Sequence, residues 1–113
     1  MTYSLNFKIW VEKNGQKSFG DGPCDILQRI ERTGSLRMAA AEINMSYSQA
    51  WKLLDDLEKK LGFPLLVKTA GGTSGGGSVL TEEGKAFSIR YREFRREAAD
   101  ALGKLFEKYF KII

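Results

Sequence analysis

The side chains best placed for chemistry in this sequence open a helical segment that begins at Ser46. Ser46, Tyr47 and Ser48 supply hydroxyl groups, and Lys52 adds an ammonium group about one helical turn later. The backbone N–H groups at the start of a helix have no partners within the helix, so this end can hydrogen-bond phosphate oxygens and base edges. The residues expected to contact nucleic acid here are Ser46, Tyr47, Ser48 and Lys52.

The aromatic side chains of this segment allow two interpretations. Trp51 could lie against a sugar-phosphate backbone or a thymine methyl group, which would make it a DNA contact. Alternatively, Tyr47 and Trp51 form the outer part of the core and pack on the preceding helix. The sequence leaves both interpretations open, and Trp51 stays among the candidate DNA contacts.

A loop with five glycines follows between residues 70 and 77. Side chains are almost absent there, so the backbone N–H groups could approach phosphates, and Lys68 at the base of the loop adds a positive charge. A nucleotide-binding loop is not indicated, because no Gly-Lys-Ser or Gly-Lys-Thr follows. The alternative is a flexible hairpin tip. The loop residues expected to contact DNA are Gly71, Gly72, Thr73, Ser74, Gly75 and Gly76.

Three arginines precede these segments and could hold phosphates that flank a groove. They are Arg29, Arg32 and Arg37. The alternative for each is a solvated surface side chain, which is the usual state of an arginine. Arg37 is carried forward among the expected DNA contacts.

Composition excludes most catalytic and metal chemistry. The 113 residues contain no histidine and one cysteine, so Ser-His and Cys-His pairs, a zinc site and an internal disulfide cannot be assembled. We therefore expect neither an enzyme nor a bound metal or cofactor. The net charge of +4 is compatible with a polyanionic partner. No basic leader and no apolar run near the roughly 20 residues of a membrane span are present, so we expect a cytoplasmic protein with no membrane partner.

A helix-turn-helix must position the polar groups around Ser46. Apolar residues at helical spacing predict three helices within residues 23–62. Ser46 and Gln49 form the S-x-x-Q pattern of a capping box, which predicts where the third helix starts. The helices are expected over residues 23–33, 36–43 and 46–61.

Two short β elements are expected to flank the helices. Apolar residues alternate over residues 4–12 and are followed by Asn14-Gly15, a type I′ turn signal, so residues 4–19 predict a β-hairpin. Apolar runs on both sides of the glycine loop predict a second hairpin, a wing over residues 65–80. The fold class is therefore mainly α with a small β part (α+β), a winged helix-turn-helix with an N-terminal β-hairpin.

Residues 82–110 predict one long helix, about 43 Å long at 1.5 Å per residue. Its apolar residues recur every three or four positions, which favours packing against a partner helix. A homodimer through this helix is one interpretation, and packing back onto the chain's own core is the alternative. The residues expected in the dimer interface are Phe87, Tyr91, Phe94, Ala98, Leu102, Leu105 and Tyr109.

Two runs of this sequence resemble the DNA-binding domain of ModE, the molybdate-responsive family of bacterial regulators. They are GSLRMAAAEINMSYSQAW at residues 34–51 and TAGGTSGGGSVLTEEG at residues 69–84. The run LEKKLGFPL at residues 57–65 is similar to LysR-type domains, which lack the Ser-Tyr-x-x-Ala-Trp and polyglycine signatures. The similarity covers about residues 20–95, and Phe-Gly-x-Gly at residues 19–22 is similar to stand-alone members of the family.

The resemblance implies a dimeric winged-helix regulator that binds double-stranded DNA, with the last helix forming the dimer and the wing touching DNA. Full-length ModE proteins carry oxyanion-binding domains after the dimer helix, and this sequence ends at Ile113. We therefore expect no molybdate-binding domain in this chain. Molybdate or tungstate is a possible effector that the resemblance does not support here.

Two other functions stay open at the level of sequence. The chain could be a winged-helix module that binds another protein and has lost contact with DNA. It could also be a sensor of a small oxyanion, with the ligand between the N-terminal hairpin and the last helix. In each case residues 1–113 are expected to form one domain.

Overall fold

The computed structural model describes residues 2–68 and 77–111, which form two strands, three helices, two strands and a long helix in chain order. The strands are β1 (Trp10–Lys13), β2 (Gln16–Gly20), β3 (Leu66–Lys68) and β4 (Ser78–Leu80). The helices are α1 (Asp21–Thr33), α2 (Leu36–Glu42), α3 (Tyr47–Leu61) and α4 (Glu82–Phe110). β1 pairs antiparallel with β2, and β3 pairs antiparallel with β4. The predicted fold class, mainly α with a small β part, is confirmed.

Side-chain caps set the two helix starts of the helix-turn-helix. The hydroxyl of Ser35 accepts a hydrogen bond from the N–H of Met38 at 3.1 Å, at the start of α2. The hydroxyl of Ser46 accepts from the N–H of Gln49 at 3.1 Å, and the Gln49 side chain accepts from the N–H of Ser46 at 3.1 Å. Asn44 has a left-handed φ of 55° in the turn between the helices. The predicted capping box is confirmed, and it fixes where α3 begins.

The core lies where the first three helices meet. Ile26, Leu27 and Ile30 of α1 are fully buried. Ala40 of α2 and Ala50 of α3 are also buried, and their small side chains let the two helices approach closely. Burial of each leucine or isoleucine stabilises the fold by about 1.5–3 kcal/mol, so this cluster holds α3 rigidly on α1 and α2.

Contacts around Leu65 attach the second hairpin to the helices. The carboxylate of Glu58 accepts hydrogen bonds from the N–H groups of Leu65 at 2.7 Å and Leu66 at 3.2 Å. The N–H of Thr81 donates to the carbonyl of Leu65 at 2.9 Å. A Cβ on Gly84 would lie 2.8 Å from that same carbonyl oxygen, so only glycine allows α4 to start this close to Leu65. These contacts fix the base of the wing relative to α3.

The N-terminal hairpin is shorter than the sequence predicts. Asn14 and Gly15 both have positive φ values, 54° and 76°, as the expected type I′ turn requires. The strand predicted over residues 4–12, however, begins only at Trp10, which pairs with Gly20. The physical reason is that α1 begins directly after Gly20, so the residues before Trp10 have no strand beside them.

Residues 2–9, which we call the N-terminal arm, lie against α4 instead. The Tyr3 ring is 6.1 Å from the Phe110 ring, centroid to centroid. The guanidinium of Arg95 lies 5.0 Å from the centroid of the Phe7 ring. Phe7 and Ile9 are half-buried, while the residues between and before them are exposed. The predicted alternation is thus present in the burial of residues 7–11 but not at Leu5, and α4 takes the place of a paired strand.

The first half of α4 packs on the chain's own core, which is the alternative that the sequence left open for this part of the predicted dimer interface. Tyr91 is only 3% exposed, and its ring lies 5.3 Å from that of Phe19. Phe87 packs on Phe19 at 5.0 Å and on Phe63 at 5.7 Å between ring centroids. Packing on a core and packing on a second chain need the same apolar repeat, so the sequence could not separate them. Of the other predicted interface residues, Ala98 and Leu102 are half-buried, and Phe94, Leu105 and Tyr109 are exposed.

Candidate nucleic-acid interface

The first turns of α3 present polar groups to solvent. Ser46, Ser48 and Lys52 are exposed, and Tyr47 is half-buried. The oxygen of Ser46 already accepts a hydrogen bond from the N–H of Gln49, so its hydroxyl can still donate one hydrogen bond and accept one more. The structure therefore brings the four predicted contact residues to one end of α3, where one lone pair of Ser46 is used by the helix cap.

Gln49 is an additional candidate that the sequence interpretation treated only as part of the cap. Its Oε1 accepts from the N–H of Ser46 at 3.1 Å, and its Nε2 makes no hydrogen bond to the described residues. Because a glutamine amide has two N–H donors, Gln49 can cap α3 and still donate to a ligand. The capping-box pattern identifies only the first of these two roles.

The carboxylate of Glu42 forms ion pairs with two of the three candidate arginines. Its Oε1 accepts hydrogen bonds from Arg32 and, at 2.9 Å, from Arg29. The hydrogen bonds from Arg32 and Arg29 hold the pKa of the Glu42 carboxyl below its usual value. Arg29 also pairs with Asp25 at 3.0 Å. Both arginines therefore share their charge with carboxylates of their own chain, which argues against their use as phosphate clamps.

Arg37 and Lys52 differ from those two arginines. Both side chains are exposed, and neither has a carboxylate partner among residues 2–68 and 77–111. The guanidinium carbon of Arg37 lies 4.4 Å from the centroid of the Tyr47 ring, which places the cation over the aromatic face. Arg37 at the start of α2 and Lys52 in the first half of α3 are thus two exposed cations near the start of α3.

The position of Trp51 agrees in part with each of its two interpretations, a DNA contact and the outer part of the core. Trp51 is 46% exposed. A cavity of about 90 Å³ beside it is lined also by Leu36, Asp55, Glu58 and Leu66. Part of the indole therefore lies over the groove between α2, α3 and β3, and the rest is open to solvent. Packing accounts for the first part, and the second part leaves a surface that DNA could contact.

The base of the wing lies beside the helix-turn-helix. The N–H of Ser78 donates to the carbonyl of Gly34 at 2.9 Å, which ties β4 to the junction between α1 and α2. Val67 and Val79 are 51% and 46% exposed. Lys68 ends β3, and its side chain lies outside the described part of the chain. The loop residues predicted to contact DNA also lie outside it: Gly71, Gly72, Thr73, Ser74, Gly75 and Gly76.

A polar cluster fixes α4 against the start of α1. The Tyr91 hydroxyl donates to Asp21 Oδ1 at 2.6 Å, and Arg95 Nε donates to the same oxygen at 2.8 Å. Burial opposes ionisation of Asp21, but the hydrogen bonds from Tyr91 and Arg95 outweigh it, and the pKa of this carboxyl is lowered. Burial and the neighbouring carboxylate raise the pKa of Tyr91, so its hydroxyl stays a donor. The cluster couples the direction of α4 to the helix-turn-helix.

Comparison with known families decides the class of this helix-turn-helix. Residues 24–85 match the family described as "Bacterial regulatory helix-turn-helix protein, lysR family". The match runs from α1 to the start of α4 and includes the helix-turn-helix and both wing strands. The chain belongs to this family.

The LysR-family chain is also similar to ModE proteins. It is 39% identical over 83 residues to the molybdenum transport protein ModE of Azotobacter vinelandii, an alignment that covers 74% of the chain and 31% of that protein. It is 36% identical to the molybdenum-pterin-binding protein MopB of Rhodobacter capsulatus, over 88% of the chain and 36% of that protein. The resemblance to the ModE DNA-binding domain is confirmed. The chain spans about a third of the length of these relatives.

Solved structures confirm the winged-helix fold of this LysR-family chain. A CbnR_DBD–DNA complex matches with a TM-score of 0.59 at 20% identity and covers 78% of the chain and 95% of that chain. Full-length CbnR complexed with its target DNA matches with a TM-score of 0.57 at 21% identity, over 76% of the chain and 28% of that chain. At this identity the likeness concerns the fold alone.

A cavity of about 350 Å³ lies between the N-terminal hairpin and α4 of the LysR-family fold. It is lined by Val11, Phe87, Arg90, Tyr91 and Phe94. This is the place where the sensor alternative expects a ligand. Apart from the Arg90 guanidinium and a tyrosine hydroxyl that is bonded to Asp21, the lining is apolar.

Two further observations concern the described residues as a whole. Residues 2–68 and 77–111 contain no cluster of three or more histidine, cysteine, aspartate or glutamate side chains that could hold a metal ion. None of the described helices is both long and apolar enough to cross a membrane.

Proposed function

We propose that this protein is a sequence-specific DNA-binding transcriptional regulator of the ModE-like type that acts as a homodimer in the bacterial cytoplasm. The surface at the start of α3 carries this proposal. Arg37 and Lys52 are exposed there without a carboxylate partner among the described residues, whereas Arg29 and Arg32 are paired. In a helix-turn-helix, this end of the second helix is the part that contacts base edges.

The dimensions of α3 suit this role. Its 15 residues extend about 22 Å and fit a major groove about 12 Å wide. Ser48 and the Nε2 group of Gln49 would donate to base edges or phosphates, and Lys52 would pair with a phosphate or a guanine edge. The exposed part of Trp51 would lie against the sugar-phosphate backbone. The wing loop would follow the flanking backbone.

Exposed apolar residues on α4 support a homodimer. Phe94, Leu105 and Tyr109 are 52%, 51% and 69% exposed. Exposed apolar side chains that share one face of a helix indicate an interaction surface. The three side chains fall within a narrow sector of the helix, on the stripe that the repeat of the sequence defines. Pairing α4 with its copy would remove this stripe from water. A two-fold dimer would then place two copies of α3 one helical turn of DNA apart, or a multiple of it.

The lining of the cavity between the N-terminal hairpin and α4 does not favour direct binding of an oxyanion there. The names of the relatives ModE and MopB both include the word molybdenum. A tetrahedral oxyanion accepts hydrogen bonds on four oxygens, but the cavity beside α4 offers one cation, Arg90, in an apolar lining. This composition suits an apolar group, such as a side chain of a second copy, better than molybdate or tungstate.

Titration onto labelled duplex DNA at two salt concentrations tests the DNA-binding proposal. Binding should weaken steeply with salt, because each neutralised phosphate contributes about −0.9 to the slope of log K against log salt. Lys52→Ala should weaken binding about 10-fold or more, since hydrogen bonds to charged groups are strong. Lys60→Ala is the matched control, because it removes the same charge from the other, exposed end of α3.

Absence of binding by the wild-type chain at low salt would overturn the proposal and favour the protein-interaction module instead. Equal losses for Lys52→Ala and Lys60→Ala would show that the start of α3 is not the contact surface. Calorimetry with molybdate and with tungstate separates the sensor alternative, for which heat of binding at micromolar ligand would be required.

A further inference from the structure

Arg37 and Tyr47 form a stacked pair that joins the two helices of the helix-turn-helix. Arg37 comes from the first turn of α2, and Tyr47 is the first residue of α3. The guanidinium carbon lies 4.4 Å from the centroid of the ring. The turn between the helices is tied to α2, because the N–H of Met45 donates to the carbonyl of Ala40 at 2.9 Å and the N–H of Asn44 donates to that of Ala41 at 3.2 Å. These bonds limit the motion of the ring relative to α2.

The stack leaves the hydrogen-bonding groups of Arg37 unused. A guanidinium has five N–H donors in its own plane, and a cation over an aromatic face needs none of them. Arg37 has no carboxylate partner among the described residues, in contrast to Arg29 and Arg32. A fork of donors is therefore exposed at the surface on a support that limits its motion.

Support of this kind matters for affinity. An exposed arginine side chain normally loses much rotamer freedom when it binds, and this loss weakens the complex. A guanidinium that already rests on a ring loses less. The planar fork then matches pairs of acceptors in one plane, such as O6 and N7 of guanine or two oxygens of a phosphate.

We propose that Arg37 and Tyr47 act as one unit in DNA recognition. Arg37 donates two parallel hydrogen bonds to a pair of acceptors on DNA, either a guanine edge or a phosphate. Tyr47 is a positioning residue that acts through its ring face, and its hydroxyl is not needed. The inference rests on the proposed DNA-binding function and assigns a DNA-contacting role to a residue outside the recognition helix.

A double-mutant cycle on DNA affinity tests this coupling. Arg37→Ala should weaken binding about 10- to 100-fold, the range of a lost bidentate contact. Tyr47→Leu, which keeps bulk but removes the aromatic face, should lose a large part of the same amount. The double variant should bind no more than about twofold weaker than Arg37→Ala, because the two residues contribute one contact.

Two conservative variants separate positioning from direct contact. Tyr47→Phe keeps the ring face and should bind within about twofold of the wild type. Arg37→Lys keeps the charge but loses the planar fork, and it should recover less than half of the lost binding free energy. Thermal unfolding of each variant controls for folding. Tyr47→Phe keeps the aromatic ring at position 47, and Arg37→Lys leaves that position unchanged, so both variants keep its half-buried contacts.

Selection of bound sequences from a random DNA pool identifies the acceptor. If Arg37 contacts guanine, Arg37→Ala removes the preference at one position of the half-site. If it contacts a phosphate, all sequences weaken alike and the salt slope falls by about 0.9. Either result supports the paired unit.

Three results would overturn the inference. They are additive losses in the cycle, a loss for Tyr47→Phe equal to that of Tyr47→Leu, and unchanged binding by Arg37→Ala. If the wild-type chain binds DNA while any of these is seen, the DNA-binding proposal stands and only the pair is wrong. If the wild-type chain does not bind DNA, both fail.

Discussion

At the residue scale, the ion pairs of α1 and α2 limit which cations of this surface are available to bind a phosphate. The sequence has 18 lysines and arginines, but Glu42 holds Arg29 and Arg32, and Asp25 adds a second bond to Arg29. Arg37 and Lys52 are exposed without such a partner in the described residues. The number of cations therefore does not separate Arg37 and Lys52 from Arg29 and Arg32, whereas their carboxylate partners do.

We expect Arg32→Ala to leave DNA affinity within about twofold of the wild type. The guanidinium is paired with Glu42 and is not free for a phosphate. An exposed pair of this kind also contributes little to stability, so the variant should fold. Anisotropy titration of a labelled duplex measures the affinity. A loss as large as that of Lys52→Ala would mean that Glu42 releases its arginines on DNA.

The sequence identified most of the candidate surface but not how its members are arranged. Ser46, Ser48 and Lys52 follow from the capping pattern and helical spacing alone. The pairing of Arg32 with Glu42 depends on the crossing of α1 and α2, and the stack of Arg37 on Tyr47 depends on the turn. Contacts of this kind join residues 10 positions apart, which spacing rules within one helix do not reach.

At the element scale, the start of α4 is fixed by close approach and by one polar cluster. Gly84 leaves room for the carbonyl of Leu65, and Asp21 accepts from both Tyr91 and Arg95. Together they set the angle between α4 and the helix-turn-helix. In a homodimer through α4, this angle would determine the distance between the two copies of α3.

Gly84→Ala should destabilise the fold by about 1–3 kcal/mol, because a Cβ would lie 2.8 Å from the carbonyl oxygen of Leu65. Gly103→Ala is the matched control within the same helix. Nothing lies within 4 Å of a Cβ there, so this variant should gain up to about 1 kcal/mol from helix propensity. Urea unfolding measures both. Equal effects of the two changes would contradict the close contact at Leu65.

Asp21→Asn should lower the free energy of unfolding at pH 7 by about 1 kcal/mol, since two charge-assisted hydrogen bonds are weakened. The pKa of Asp21 is lowered in the folded chain from an ordinary value of 3.8, so its stabilising effect is present above pH 4 and lost as pH falls below that value. Urea unfolding at pH 7 and pH 3 should therefore show a smaller difference between Asp21→Asn and the wild type at pH 3 than at pH 7. A difference of the same size at pH 3 would contradict the ionic role.

The elements themselves were largely predictable, and the exceptions have physical causes. The sequence predicts the helix-turn-helix, its caps and the Asn14-Gly15 turn because these depend on local residues. It misplaces residues 4–9 because the length of β2, which ends at Gly20, limits the pairing. It also assigns Tyr91 to a dimer interface, because an apolar repeat does not show which surface it covers.

At the scale of the whole molecule, α4 has two different halves. Its first half covers the core through Phe87 and Tyr91, and its second half carries exposed apolar residues beside the N-terminal arm. A homodimer would bury that second half. DNA with two half-sites would then be held by two linked contacts, which raises the overall affinity without any new contact.

Leu105→Glu should convert the dimer to a monomer, because it places a charge in the middle of the exposed apolar stripe. Sedimentation velocity measures the change. Lys104→Glu is the control, since it introduces the same residue at the neighbouring position, which faces away from the stripe. Binding to a duplex with two half-sites should fall by about 100-fold or more, while binding to a single half-site should change little. A dimer unaffected by Leu105→Glu would place the interface elsewhere.

Selection of sequences from a random duplex pool, with the wild-type chain, tests the central claim most directly. A homodimer that inserts the start of α3 into two major grooves should enrich an inverted repeat. Its half-sites should be centred about 10–10.5 base pairs apart, or a multiple of that distance. Lys52→Ala and Arg37→Ala should reduce that enrichment. A pool without any enriched sequence at low salt, recovered with a folded wild-type chain, would contradict the account.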